Sequence, residues 1–347
     1  MRIAQVAPLT ETVPPRGYGG TERVVSYLTE ALVEQGHEVT LFASGDSTTR
    51  AELVACCPRA LRLDPDCLDP LALHAVMVER VYRQAERFDV IHAHVDYLTY
   101  SLSRHTRVPT LTTLHGRLDL PQLVPVYEEF AEQHVVSISD AQRRPLPWLR
   151  WQGTVYHGLP RDLYAFRPEP GSYLAFVGRI SPEKRLDRAI AIAEACGMDL
   201  RVAAKIDKVD RDYFREVIEP LVRRSARVHL EPEIDDAGKD ALLGGAWATL
   251  FPVDWPEPFG LMMIESLACG TPVIGWRCGS VPEIVEPGRT GFVCDDLAEA
   301  VAAVEDVGAL DRALCRRAFE ERFSVERMAE DYVRIYRGLS DLEQRAA

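Results

Sequence analysis

The chain has 347 residues, 47% of them apolar and 27% charged, and a formal net charge of −13. At roughly 100 to 200 residues per domain this length asks for about two domains, and the composition excludes a disordered or fibrous chain. So acidic a protein repels nucleic acid and anionic lipid unless a basic face is concentrated somewhere, and no such face is present in the sequence. Only Lys184, Lys205, Lys208 and Lys239 are lysines, so a site that needs an ammonium must draw on the second half of the chain. No run approaches the ~18 apolar residues of a membrane span, and the apolar start is not followed by a cleavage pattern, so a soluble cytoplasmic protein is expected. The eight cysteines show no C-x-x-C spacing and are expected as free thiols.

Strands and helices alternate along the chain. Residues 2–7 form a short apolar run, followed by the turn Gly17-Tyr18-Gly19-Gly20 and a helix from about Thr21 that stops at Gly36, a glycine suited to a left-handed cap. Strand signals recur at 37–43, 89–93, 108–114, 135–138 and 154–157. Pro160, Pro168, Pro170 and Gly171 then interrupt the pattern, which resumes at 173–177, 200–204, 228–230, 249–253, 272–275 and 291–294. Near-continuous β-branched runs separated by helices are what a parallel sheet covered on both faces requires. Leu186, Ala189, Ile190 and Ala193 recur at the spacing of a helix lying on such a sheet. The expectation is two doubly wound α/β domains, residues 1–165 and 166–323, with ligands in the cleft they face and a closing amphipathic helix in 324–347 that returns to the first domain.

Three segments carry candidate chemistry. Gly17, Gly19 and Gly20 lie between a strand and a helix, where backbone amides favour an anion; the position that would complete G-x-G-x-x-G is Glu22, which disfavours a nicotinamide site and leaves a ligand loop or a plain tight turn. Arg179 and Lys184 share the next strand-to-helix loop and could grip a diphosphate or simply be solvated. Glu257 and Glu265 are eight residues apart, the second on a helix otherwise made of Leu261, Met262, Met263, Ile264, Leu267 and Ala268. A carboxylate there either needs a buried partner or occupies an exposed stripe.

Together with Thr113-Leu114-His115-Gly116, Ser137-Ile138-Ser139 and Val155-Tyr156-His157-Gly158, these segments resemble the retaining nucleotide-sugar glycosyltransferases of family 4, which have the GT-B fold, over essentially the whole chain. Two positions depart from the family pattern: His157, where Asn is frequent, and Arg185, where Gly often follows the lysine. The resemblance implies that Glu265 binds the donor ribose, that Ile234 places backbone groups at the base, and that Arg179, Lys184, Gly19, Gly20, Gly260 and Leu261 surround the diphosphate. Glu257 and His115 would contact the transferred sugar. The donor would be a nucleoside-diphosphate hexose, most readily a UDP-sugar, and no cofactor or metal would be needed, the two cations standing where other enzymes use Mg²⁺.

No D-x-D motif fits a metal-bridging role; Asp64-Pro65-Asp66 reads as a turn. His92, His94 and Asp96 invite a metal reading, but strand ends equally suit acceptor contacts or a satisfied structural histidine. His94, Asp96, Tyr97, Arg117 and Tyr127 are therefore candidate acceptor contacts, and the acceptor itself is not encoded legibly. Competing readings are a sugar-nucleotide epimerase, a pyridoxal-dependent phosphorylase with Lys205 as the Schiff-base lysine, and a nucleotide-sugar-binding protein without turnover.

Overall fold

In the computed structural model the strand-helix alternation gives two parallel sheets, each with its own core. Residues 1–17 and 19–346 are described, so Tyr18 of the first glycine loop lies outside the described residues. One unit comprises Met1–Pro160 and the chain from Val325 onward; the other is Arg161–Ser324. The breaks fall at 160/161 and 324/325, against the 165/166 expected from the proline cluster and the 323/324 expected from the closing helix. Residues 161–167 go with the second unit because they are tied to it: Ala165 N and Arg167 Nη2 donate to Asp240 at 2.7 and 2.5 Å.

Among the described residues the first unit has seven strands, β1 (Arg2–Val6), β2 (Glu38–Ser44), β3 (Glu52–Cys57), β4 (Val90–Ala93), β5 (Thr110–Thr113), β6 (His134–Ser137) and β7 (Trp151–Thr154), in the order β3-β2-β1-β4-β5-β6-β7. The second has β8 (Tyr173–Arg179), β9 (Asp199–Lys205), β10 (Val228–Glu231), β11 (Ala248–Phe251), β12 (Val273–Trp276) and β13 (Gly291–Cys294), in the order β10-β9-β8-β11-β12-β13. The winding reverses between β1 and β4 and again between β8 and β11, which opens a crevice beyond the strand carboxyl ends at each reversal. The glycine loop, His94 and Glu257 follow β1, β4 and β11, and Arg179 ends β8.

The central strands are buried on both faces, which is why they read as unbroken apolar runs. The stripe Leu186, Ala189, Ile190 and Ala193 lies buried on the helix Leu186–Cys196, and Gly36 takes the left-handed φ of +82° just beyond the helix Gly20–Glu34. Two strands differ from expectation. β3, which the sequence reading did not include, pairs only with β2, and as an edge strand it keeps Glu52 and Ala55 exposed and buries only Cys56 and Cys57. The last strand of the first sheet is Trp151–Thr154 rather than 154–157, because Tyr156 and His157 leave the sheet and their carbonyls accept from Arg327 Nη2 of the closing helix Val325–Ala346. That helix presents Tyr332 and Tyr336, 1% and 0% exposed, to His92 of β4. All eight cysteines are free, and among the described residues no helix is long and apolar enough to cross a membrane.

Candidate functional site

In the second unit, β8 delivers Arg179, and the single turn Pro182–Lys184 that follows delivers Lys184. Asp254 N donates to Glu183 O at 2.9 Å and ties this turn to the segment after β11. Arg179 Nη2 donates to Glu183 at 2.5 Å, its Nε is 3.3 Å from Asp210 and its Nη1 3.8 Å from Asp207. Burial would raise the Glu183 carboxyl, yet hydrogen bonds from its own backbone, Ser181 and Arg179 hold it below the usual carboxylate range. The Lys184 ammonium pairs with Glu257 Oε2, which also accepts from Trp255 Nε1 at 2.9 Å. Lys184 Nζ stands 5.5 and 5.4 Å from the ring centroids of Phe251 and Trp255, so an aromatic wall shields the pair.

Arg185 explains one departure from the family pattern. Its φ of +55° is in the left-handed region, where glycine costs least. Arg185 occupies it while bonded to Asp187 at 2.9 and 2.8 Å and to Asp254 at 2.6 Å, charge-assisted contacts that a glycine would lack.

Glu257 sits on a loop shaped by two glycines. At Gly260, φ +81°, an added Cβ would lie 2.8 Å from Met263 Cε and 2.9 Å from Phe251 Cζ; at Gly279, φ +55°, it would lie 2.4 Å from both N and O of Glu257. Ser280 completes the cradle, its N donating to Glu257 O at 3.0 Å and its Oγ to Phe259 O at 2.7 Å. Gly279 and Ser280 were not singled out in the sequence; only the fold brings 278–280 under the Glu257 loop. Gly260 precedes the helix Leu261–Ala268, whose first amides share this end of the sheet with the two cations.

Glu265 is 4% exposed, so it does not lie on an outer stripe. Its partner is Lys239 Nζ at 2.6 Å, which also reaches Asp236 at 3.0 Å. Lys239 is supplied by the helix Asp236–Gly244, capped by Asp235, whose side chain accepts from Gly238 N at 2.8 Å. Ile234 stands half-buried on the loop just before this cap. Sequence reading missed Lys239; a lysine four residues into a capped helix carries no mark of pairing with a carboxylate 26 positions later. Lys205 ends β9 and lies 3.4 Å from Asp207.

In the first unit, Gly19 and Gly20 open the helix after β1, and Gly19 has a packing reason of its own: a Cβ there would lie 2.8 Å from Pro15 Cβ. His94 Nδ1 is 2.9 Å from His115 Nε2, and His115 stacks on His157 with centroids 5.3 Å apart, so the second departure places another ring against His115. Burial drives the His115 imidazole down to about 3, and burial with neighbouring histidines keeps His92, His94 and His157 well below the usual value; all four are neutral near pH 7. His92 is a satisfied structural histidine, its ring nitrogens 2.7 Å from Tyr336 Oη and from Thr113 Oγ1. Among the described residues no cluster of three His, Cys, Asp or Glu side chains could hold a metal ion.

A cavity of about 500 Å³ opens beside these rings, lined among others by Thr21, Leu71, His94, Asp96, Tyr97 and His115. Asp96 reaches the solvent in this concavity from a backbone with φ +49°, and desolvation by the surrounding wall pushes its carboxyl up to about 6. One expected acceptor contact is corrected. Tyr127 is 1% exposed and packs on Tyr100 in the core. The Arg117 guanidinium is exposed and pairs with Asp119 at 2.6 and 2.7 Å, a surface contact that does not exclude the expected role. Asp64-Pro65-Asp66 is a turn, with Cys67 N donating to Asp64 O at 3.2 Å.

Residues 18–209 match the model of Glycosyltransferase Family 4, and residues 165–317 that of Glycosyl transferases group 1. The chain is 27% identical to a glycogen synthase of Mycobacterium tuberculosis, covering 92% of this chain and 89% of that one. It is 29% identical to the GDP-mannose-dependent alpha-(1-6)-phosphatidylinositol dimannoside mannosyltransferase of the same species, covering 95% and 94%. Among solved structures, AviGT4, a glycosyltransferase involved in avilamycin A biosynthesis, superposes with a TM-score of 0.74 at 25% identity over 98% of each chain.

Proposed function

Because the chain belongs to glycosyltransferase family 4, with its two Rossmann-like units in the GT-B class, we propose that it is a metal-independent, retaining hexosyltransferase that uses a nucleoside-diphosphate sugar. The observation that carries this reading is the convergence of Arg179, the Lys184–Glu257 pair and the amide end of the helix Leu261–Ala268 at the switch point of the second sheet. A leaving diphosphate gains negative charge as the anomeric bond breaks, and preorganised cations and amides stabilise it there. Glu265 takes the ribose hydroxyls, Ile234 offers backbone to the base, and Gly19 and Gly20 border the diphosphate. Glu257 and His115 contact hydroxyls of the sugar, and the acceptor enters the cavity beside Asp96 and Tyr97. UDP-hexoses are the donors to test first, against GDP-mannose.

In this reading no carboxylate attacks the anomeric carbon. Glu257 is held by Lys184 and Trp255, and neutral His115 is a weak base. The bond from the anomeric carbon to the phosphate oxygen breaks with its electron pair on phosphate. The acceptor oxygen then bonds to the same face while its proton passes to the departing phosphate, giving a retained glycoside and a nucleoside diphosphate. NMR of the product from an α-linked donor is expected to show an α-linkage; a β-linkage would overturn the mechanism. Turnover is expected to persist in excess EDTA, and loss that Mg²⁺ or Mn²⁺ restores would refute the role given to Arg179 and Lys184.

A further inference from the structure

The polar groups behind His115 form a continuous chain that the proposed reaction does not use directly. Gln5, 0% exposed on β1, is the register partner of His92 on β4. Its Oε1 is 2.8 Å from His94 Nε2, and its Nε2 is 3.3 Å from Tyr336 Oη and 3.4 Å from His92 Nδ1. His94 Nδ1 then meets His115 Nε2 at 2.9 Å. His115 Nδ1 is buried and has no hydrogen-bond partner among the described residues.

A neutral imidazole has one N–H and one lone pair, so each contact dictates the next. The Gln5 carbonyl can only accept, which places the His94 proton on Nε2. His94 Nδ1 is then an acceptor, which places the His115 proton on Nε2 and leaves Nδ1 as a bare lone pair. Rotating the Gln5 amide by half a turn would reverse both tautomers. Tyr336 takes part in that choice: in the observed orientation Gln5 Nε2 donates to its Oη at 3.3 Å, which leaves the Tyr336 O–H for His92 Nδ1, 2.7 Å away, when that nitrogen carries no proton.

We propose that Gln5 is a positioning residue which, through His94, holds His115 as the Nε2–H tautomer, so that Nδ1, covered in the free protein, is an acceptor for a hydroxyl of the transferred sugar once the donor displaces what covers it. The last step rests on the proposed function; the tautomer does not. It gives the closing helix a part in the site, since Tyr336 orients the amide from 331 residues away in sequence. A donor hydroxyl meeting an N–H at Nδ1 would have to turn its own hydrogen aside, whereas a lone pair receives it directly.

The test is a two-bond ¹⁵N–¹H correlation on histidine-labelled full-length protein, with the His115 resonances identified by their loss in His115→Gln. Wild type is expected to carry the His115 proton on Nε2. Gln5→Leu is expected to shift His115 to a mixture or to Nδ1–H and to lower kcat about tenfold at little-changed donor KM. Gln5→Glu, which keeps an oxygen toward His94, restores the tautomer and most of the rate. A wild-type proton on Nδ1 overturns the proposal, as does a lower kcat in Gln5→Leu with the tautomer unchanged. If Gln5→Leu does not fold, Tyr336→Phe decides: it frees the amide and should mix the tautomers, and an unmixed spectrum refutes the relay. Donor turnover is scored separately, so a correct tautomer in a protein that transfers no sugar would count against the proposed function alone.

Discussion

Lys184→Met is expected to lower kcat by about 10²- to 10³-fold, the effect of removing one preorganised group from a developing anion. The same substitution is expected to lower the melting temperature by several degrees. Lys184 and Glu257 side chains are 17% and 11% exposed, so loss of the ammonium leaves a carboxylate in a shielded site with Trp255 Nε1 as its remaining donor among the contacts described. Breaking such a pair from one side costs about 3 to 5 kcal/mol. Adding Glu257→Gln removes the stranded charge, so the double variant should regain most of the melting temperature while kcat stays low. Calorimetry and steady-state rates on the two variants separate the effects. A kcat within threefold of wild type for Lys184→Met would remove the lysine from the diphosphate.

Glu265→Gln is expected to weaken binding of free nucleoside diphosphate by about 10- to 100-fold, read by titration calorimetry. Hydrogen bonds to a charged group contribute roughly 1.5 to 3 kcal/mol each, and the amide keeps one acceptor oxygen while adding an unwanted donor. The fold should tolerate the change, because Lys239 retains Asp236 at 3.0 Å. Affinity equal to wild type would mean that Glu265 serves only as the counter-ion of Lys239.

The glutamate pair illustrates how far local pattern reaches. Spacing placed Glu257 before a helix and Glu265 on it, and the apolar residues around Glu265 left two alternatives, a buried carboxylate in need of a partner or an exposed stripe. Which residue answers that need is decided by the sheet order, which brings the helix Asp236–Gly244 beside Leu261–Ala268. The Gly279 cradle, the withdrawal of Tyr127 into the core and the engagement of Arg117 by Asp119 were equally out of reach, because each depends on side-chain packing rather than on period. Edge strand β3 is a different case: Leu53 to Cys57 is an apolar run that the sequence reading passed over, and only the fold shows that it pairs with β2 at the sheet edge.

What the order of residues determined alone is the alternation of buried strands and one-sided helices, the stops at Gly36 and the proline cluster, and the loops in which Arg179, Lys184, Glu257 and His115 lie. These follow from backbone geometry and burial, which act over a few residues. What only the tertiary structure decided is how those groups are held. The chain from Tyr336 through Gln5 and His94 to His115 joins β1, β4, the turn after β5 and a helix near the end of the chain. Its members are 21 to 331 residues apart in sequence, and a hydrogen bond across such a separation leaves no periodic trace because its direction is set by two donors and acceptors that meet only when the sheet has formed.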